Sequence, residues 1–256
     1  MLFARRLFRF VSLIIWFMMA GPLAVPFVIG GWKSIRRVSR ITRLWGSGIT
    51  KVLNIKVKVH GDVSSFEGGL IVSNHMGYFD IITHAAIFPI RFTPKKEIFY
   101  WPLLGWYLAL SRPIWIDRNS KRKSQNTMNA FKETMEHKIP LLVYPEGTST
   151  DGLHGLLPFK STPFEAAAQG NFPILPILTV YSNPEVCWFG KMPLVPHVWK
   201  VAGYKSVKVD LYALPVVHPE GRSRKEIADI VHDMLEKEYW RVREGGPKAD
   251  ASTPAA

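Results

Sequence analysis

The sequence predicts an α/β protein: a mixed, mainly parallel sheet flanked by helices, with an N-terminal membrane-embedded helical segment. Three observations carry this. Short apolar runs of strand length alternate with helical stretches from Ile55 to Trp240, the pattern of a sheet with helices on its faces. Phe10 to Trp32 is an uncharged run of 23 residues whose only polar side chain is Ser12, enough to reach across a bilayer as a helix. The 256 residues are 47% hydrophobic, which supplies one large core.

The N-terminal run is interrupted by Gly21, Pro22 and Pro26, and proline breaks or kinks a helix. Arg5, Arg6 and Arg9 precede it; Lys33, Arg36, Arg37, Arg40 and Arg43 follow it. A full crossing leaves one basic cluster on the disfavoured side, so the segment is expected to enter one leaflet and return, or to lie in it. A cleaved signal peptide fits less well, because no A-x-A site follows and the next stretch is basic. Residues 32–53 form an amphipathic helix, with Trp32, Ile35, Val38, Trp45, Ile49 and Val52 on one side and basic residues on the others. Beside an apolar anchor, such a helix is expected to lie on anionic lipid.

Ile55, Val57 and Val59 alternate with polar residues as a strand, closed by the turn Gly61-Asp62. Further strands are expected at Gly69–Ser73, Pro113–Ile116, Pro140–Tyr144, Ile174–Val180 and Val207–Leu214, with helices at Ile81–Phe88, Lys123–His137, Pro163–Ala168 and Ser223–Trp240. The tail, 245–256, has nothing to bury and is expected to be disordered. The chain thus divides into an anchoring segment (1–53), a catalytic domain (54–244) and this tail.

Lys and Arg outnumber Asp and Glu by 33 to 20, a net charge of +13, so the protein seeks anions. Nucleic acid is not the expected partner: no recognition motif appears, and the charge concentrates beside the apolar run. One cysteine excludes a disulfide framework or a Cys-rich metal site, and neither an H-E-x-x-H nor a P-loop spacing occurs, so no metal or cofactor is indicated. No G-x-S-x-G elbow supports a serine hydrolase.

Two stretches carry chemistry. After the run at Leu70–Val72 comes Ser73-Asn74-His75-Met76-Gly77-Tyr78-Phe79-Asp80. A strand-to-helix turn brings His75 and Asp80 within reach, so the carboxylate fixes the imidazole tautomer and leaves the other nitrogen to take a proton. Alone, the pair is a weak signal and reads first as a turn histidine with a capping aspartate. The second stretch, Pro145-Glu146-Gly147-Thr148-Ser149, sits at a strand end, where α/β sheets bind ligands and where turn amides hold anions.

His75…Asp80, Ile114-Trp115-Ile116-Asp117-Arg118, Pro145-Glu146-Gly147-Thr148 and Pro173-Ile174-Leu175-Pro176-Ile177 form four ordered blocks. Together they resemble the glycerolipid acyltransferase family typified by bacterial 1-acylglycerol-3-phosphate acyltransferases, from about Val52 to Ala213. The resemblance implies that His75 is the general base and Asp80 its orienting partner, with direct attack on an acyl thioester of coenzyme A or acyl carrier protein. It implies an acceptor site at Glu146, Gly147, Thr148 and Ser149, headgroup contacts from Lys95 or Lys96 and Arg118, and an oxyanion donor among the amides near Gly147. Pro176 is implied to line the acyl-donor side. Phosphatidate-forming members usually carry Arg where this chain has Ser149, a departure shared with lyso-ornithine lipid acyltransferases; Lys160 is placed to supply the missing charge. The expected function is acyl transfer to a lysolipid, 1-acyl-sn-glycerol-3-phosphate or lyso-ornithine lipid, at the cytoplasmic face of the cytoplasmic membrane. A non-catalytic membrane scaffold is the reading of another class, and the presence of both His75 and Asp80 argues against it.

Overall fold

The computed structural model describes residues 1–64, 66–101, 104–117 and 121–245. Strands β1 (Ile55–His60), β2 (Leu70–Ser73), β3 (Leu141–Val143), β4 (Ile174–Tyr181) and β5 (Val207–Ala213) form one sheet in the order β1-β5-β4-β2-β3. β3, β2 and β4 are parallel; β5 runs antiparallel to β4 and parallel to β1, which makes the sheet mixed. The helices are α1 (Leu2–Ala20), α2 (Trp32–Leu53), α3 (Tyr78–Ile87), α4 (Leu104–Leu110), α5 (Lys121–Glu136), α6 (Glu165–Gly170), α7 (Leu194–Val201) and α8 (Arg224–Gly245).

β2 and β3 are buried throughout because helices cover both faces of the sheet. On one face Ile71, Leu175, Ile177 and Val209 pack with Phe79 of α3, Ile49 of α2 and Leu13 of α1. On the other, Leu70, Val72, Leu141 and Leu178 pack with Phe131 of α5, Ala167 of α6 and Val231 of α8. The expected strand at Pro113–Ile116 is instead part of an irregular ladder. Ile114 N–H donates to Phe92 O and Ile116 N–H to Pro94 O, both at 2.9 Å. Pro94 and Pro113 lack the donors that a regular strand needs. Helices α4 and α7 were not foreseen, and Gly245, read as the start of the tail, closes α8; 246–256 lie outside the described residues.

α1 and α2 form an antiparallel hairpin through the short 3₁₀ turn Pro22–Phe27, where the prolines interrupt the helix as expected. Trp16 packs over Gly48, and Trp45 Nε1 donates to Ala20 O at 2.8 Å. Both ends are tied to the α/β domain. Arg5 Nε donates to Gly203 O (2.8 Å) and Arg9 Nη1 to Tyr204 O (2.6 Å), carbonyls just beyond the C-terminus of α7. At the far end Arg36 Nη2 donates to His137 O (2.5 Å), Arg112 Nη1 to Phe27 O (3.3 Å), and Trp32 stacks on His137. The hairpin therefore lies flat along the domain. Phe3, Leu7, Val11, Ile14 and Met18 make an exposed apolar stripe on α1.

Two sequence readings change here. Arg5 and Arg9 are not merely a flanking basic cluster: they bind carbonyls of the domain. The apolar side of α2 (Ile35, Val38, Trp45, Ile49) is buried, packed against the protein and not turned to lipid; Lys33, Arg36, Arg37, Arg40 and Arg43 face outward.

Candidate active site

Because β2, β3 and β4 are parallel, their carboxyl ends open at one edge, where backbone groups leave the ladder and face a ligand. After β2 the Asn74 side chain imitates one more step of the ladder: its Oδ1 accepts from Thr179 N–H (2.8 Å) and its Nδ2 donates to Thr179 O (3.0 Å). This pins the residue before His75 to β4. Gly77 turns the chain into α3 at φ +143°, and Trp188 packs where a Cβ would stand, so only glycine fits.

Asp80, in the first turn of α3, reaches back over this turn. Its Oδ2 accepts from His75 Nδ1 (2.8 Å), Met76 N–H (2.5 Å) and Gly77 N–H (3.0 Å), and its Oδ1 from Tyr181 O–H (2.8 Å). The capping and dyad readings of the sequence are thus both true of one carboxylate. Asp80 is fully buried, whereas the His75 side chain is 20% exposed. With Nδ1 donating to Asp80, the lone pair lies on Nε2. Tyr144 covers one face of the imidazole, centroids 4.2 Å apart and planes 16° from parallel.

Glu146 points inward. Its Oε1 accepts from His75 N–H (2.7 Å) and its Oε2 from Leu157 N–H (3.0 Å). It is a strut between the two loops before it is a ligand for any acceptor. Burial pushes its carboxyl up to about 7, against the pull of those two amides. Gly147 has φ +74°, and the Lys160 ammonium packs where a Cβ would stand. The Gly147 amide donates to Tyr144 O (3.1 Å), so an oxyanion donor from this turn must come from Thr148 or Ser149. Thr148 is exposed and Ser149 half-buried. Helix α8 holds the loop beyond: Glu236 accepts from Leu156 N–H (2.8 Å), and Tyr239 and Arg243 both donate to Gly152 O.

Residues 91–96 extend the sheet irregularly past β3, with parallel bridges Arg91↔Leu141 and Lys95↔Ile116. That register carries Lys95 and Lys96 to the same edge as Pro145–Gly147. Lys96 Nζ pairs with Asp117 at 3.3 Å. Arg118 lies outside the described residues. Pro176 is not at the edge: it is buried within β4 opposite Val72, and its carbonyl accepts from Leu214 N–H at the end of the β5 ladder. Its missing N–H falls where that ladder stops, which is why a central strand tolerates it. Asn74, Tyr144 and Tyr181 were missed by sequence reasoning. A tyrosine in phase with the apolar residues Leu175 and Ile177 was the available signal, since a buried phenol needs a partner.

A histidine held by a buried aspartate at the carboxyl edge of a mixed sheet, flanked by a glycine turn under a lysine, is an arrangement suited to acyl transfer. The family model described as Acyltransferase matches residues 56–180. Over 244 residues the chain is 30% identical to the 1-acyl-sn-glycerol-3-phosphate acyltransferase of Neisseria meningitidis serogroup B, covering 91% of this chain and 92% of that one. Over 208 residues it is 33% identical to the lyso-ornithine lipid O-acyltransferase of Rhodobacter capsulatus, covering 73% and 74%. The crystal structure of the 1-acyl-sn-glycerophosphate (LPA) acyltransferase PlsC from Thermotoga maritima has the same fold, with a TM-score of 0.70 at 18% identity over 94% of this chain and 95% of that one. The chain belongs to the acyltransferase family and is an acyltransferase.

Proposed function

We propose that this enzyme transfers a fatty acyl chain from acyl-CoA or acyl carrier protein to the hydroxyl of 1-acyl-sn-glycerol-3-phosphate at the cytoplasmic membrane, giving phosphatidate. The observation that carries the reading is the Asp80-held His75 with the Lys160 ammonium fixed over Gly147 on the neighbouring loop. His75 Nε2 takes the acceptor's hydroxyl proton as its oxygen attacks the thioester carbonyl. Asp80 steadies the imidazolium, the tetrahedral oxyanion collapses with cleavage of the C–S bond, and the proton passes to the departing thiolate. An amide of Thr148 or Ser149 meets the oxyanion, a contact worth about 3 kcal/mol. Lys160 meets the headgroup phosphate, with Lys95, Lys96 and Arg118 farther along the edge.

Lyso-ornithine lipid is the second reading, favoured by Ser149, a hydroxyl where a guanidinium fork suits a phosphate. Membrane seating is supported by the flat hairpin, the outward apolar stripe of α1 and the outward basic side of α2, each cation near anionic lipid being worth about 1 kcal/mol.

The test uses the full-length enzyme with anionic vesicles, acyl-CoA or acyl carrier protein thioesters, and the two acceptors in parallel. Phosphatidate formation that vanishes in His75→Ala is expected; faster acylation of lyso-ornithine lipid overturns the choice of acceptor. Removal of residues 1–32 is a poor test of seating, because Leu13 belongs to the core and Trp16 and Phe17 pack against it. The triple variant Phe3→Ser, Ile14→Ser, Met18→Ser changes only exposed positions. It is expected to float less with vesicles, and unchanged flotation overturns the proposed seating.

A further inference from the structure

Four donors converge on the Asp80 carboxylate, and three of them come from its own turn: His75 Nδ1, Met76 N–H and Gly77 N–H. The fourth, Tyr181 O–H, comes from β4, which overshoots β2. The β2–β4 register ends at Ser73↔Ile177, and β4 continues to Tyr181 only because β5 pairs with that extension. Tyr181 is buried and donates to Oδ1, the oxygen that His75 does not use. We propose that Tyr181 is a positioning residue which, through Asp80, limits how strongly the carboxylate holds a proton on His75 and so keeps the imidazole available as a base. This rests on His75 being the base of the reading above.

The chemistry follows from charge sharing. Each donor withdraws part of the carboxylate's charge, and a carboxylate with fewer donors attracts the imidazolium more strongly. Among the described residues, His75 is the only hydrogen-bond partner of the Asp80 carboxylate that can carry a positive charge. The titratable groups around the dyad are Tyr144 and Glu146 after β3, His84 on α3, Cys187 beyond β4, Asp151 and Lys160 on the loop, and Arg243 on α8. None of these donates to the Asp80 carboxylate; His84 Nδ1 donates to the Asp80 backbone carbonyl at 2.7 Å. Burial and the neighbouring Asp80 charge keep the proton on the Tyr181 oxygen, as a donor requires.

Diethyl pyrocarbonate acylates unprotonated imidazole, so the extent of modification at His75 against pH, read by peptide mass spectrometry on the full-length protein, reports this directly. It needs no acyl donor or lysolipid, and the result is therefore independent of whether the proposed reaction is correct. His154, whose side chain is 85% exposed, is the internal standard. Tyr181→Phe keeps the ring and removes only the hydroxyl. The expected result is an upward shift of the His75 midpoint by about half to one pH unit. In an Asp80→Asn background the same substitution is expected to produce no shift, because the carboxylate that transmits it is gone. An unmoved midpoint in Tyr181→Phe overturns the proposal. So does an equal shift in both backgrounds, which would mean that Tyr181 acts through general packing and not through Asp80.

Discussion

Two histidine–aspartate pairs in this protein each stack on a tyrosine, yet they are different objects. His60 Nε2 lies 2.6 Å from Asp210, with its ring 4.3 Å from that of Tyr212; His75 Nδ1 lies 2.8 Å from Asp80, with its ring 4.2 Å from that of Tyr144. By distance alone the first pair is the closer. Its aspartate, however, is 33% exposed and sits opposite Lys58 on the outer strands, where water screens it. Asp80 is 0% exposed and takes four hydrogen bonds, so its orientation and charge are set before any substrate arrives. The ring atoms differ as well. His60 uses Nε2 for its aspartate, leaving the nitrogen nearest its own backbone; His75 uses Nδ1, leaving the nitrogen that projects away from it. The surroundings of the carboxylate and the choice of nitrogen distinguish the two pairs, and a short His–Asp distance does not.

The comparison breaks most visibly in turnover. His75→Ala is expected to lower kcat by about 10²–10⁴-fold, while His60→Ala stays within about twofold, as a pair screened by water should. Steady-state rates for both decide it, and comparable losses erase the distinction. In stability, Asp80→Asn removes the charge that four donors share and turns one of its two acceptor atoms into a donor, and is expected to cost about 1–3 kcal/mol in urea unfolding. Asp210→Asn should cost less than about 1 kcal/mol.

A smaller effect sharpens the description of the site itself. Ser149→Arg is expected to raise the ratio of kcat/KM for lysophosphatidate over lyso-ornithine lipid about tenfold, the equivalent of one hydrogen bond to a charged group. An unchanged ratio shows that Lys160 already meets the phosphate. The smallest expected effect concerns Glu146. Its folded carboxyl titrates near 7 against an ordinary value of 4.5, so the folded protein binds that proton more tightly than the unfolded chain does. The stability it contributes is full below about 4.5 and is lost as pH rises through about 7. Wild-type Tm should therefore fall more between pH 5 and pH 8 than that of Glu146→Gln; parallel curves contradict the inward, desolvated placement.

Much of this was legible in the sequence because it is locally encoded. Strand alternation at Ile55–His60, the 3.6-residue period of α2 and the helix break at Pro22 follow from which side chains a short element must bury. His75 and Asp80 were readable as a pair because one turn joins them. Tyr181, 101 residues from Asp80, and Thr179, 105 residues from Asn74, were not readable, because their meeting depends on how far β4 overshoots β2, and that is set by pairing with β5. Lys160 arrives over Gly147 only because Pro145 O accepts its amide at 3.0 Å, and Glu146 turns inward only because Leu157 returns to meet it.

The sequence by itself determined the five strands of the sheet, most of the helices, the candidate dyad and the apolar N-terminus. Tertiary structure alone decided which apolar surfaces face protein. The stripe on α2 has the same period whether lipid or α3 covers it, since both are apolar media and periodicity records only the need to leave water. Arg5 and Arg9 likewise have the same composition whether they flank a membrane segment or donate to Gly203 and Tyr204. The long-range partner that satisfies a buried polar group belongs to the packing of distant segments, and no local pattern specifies it.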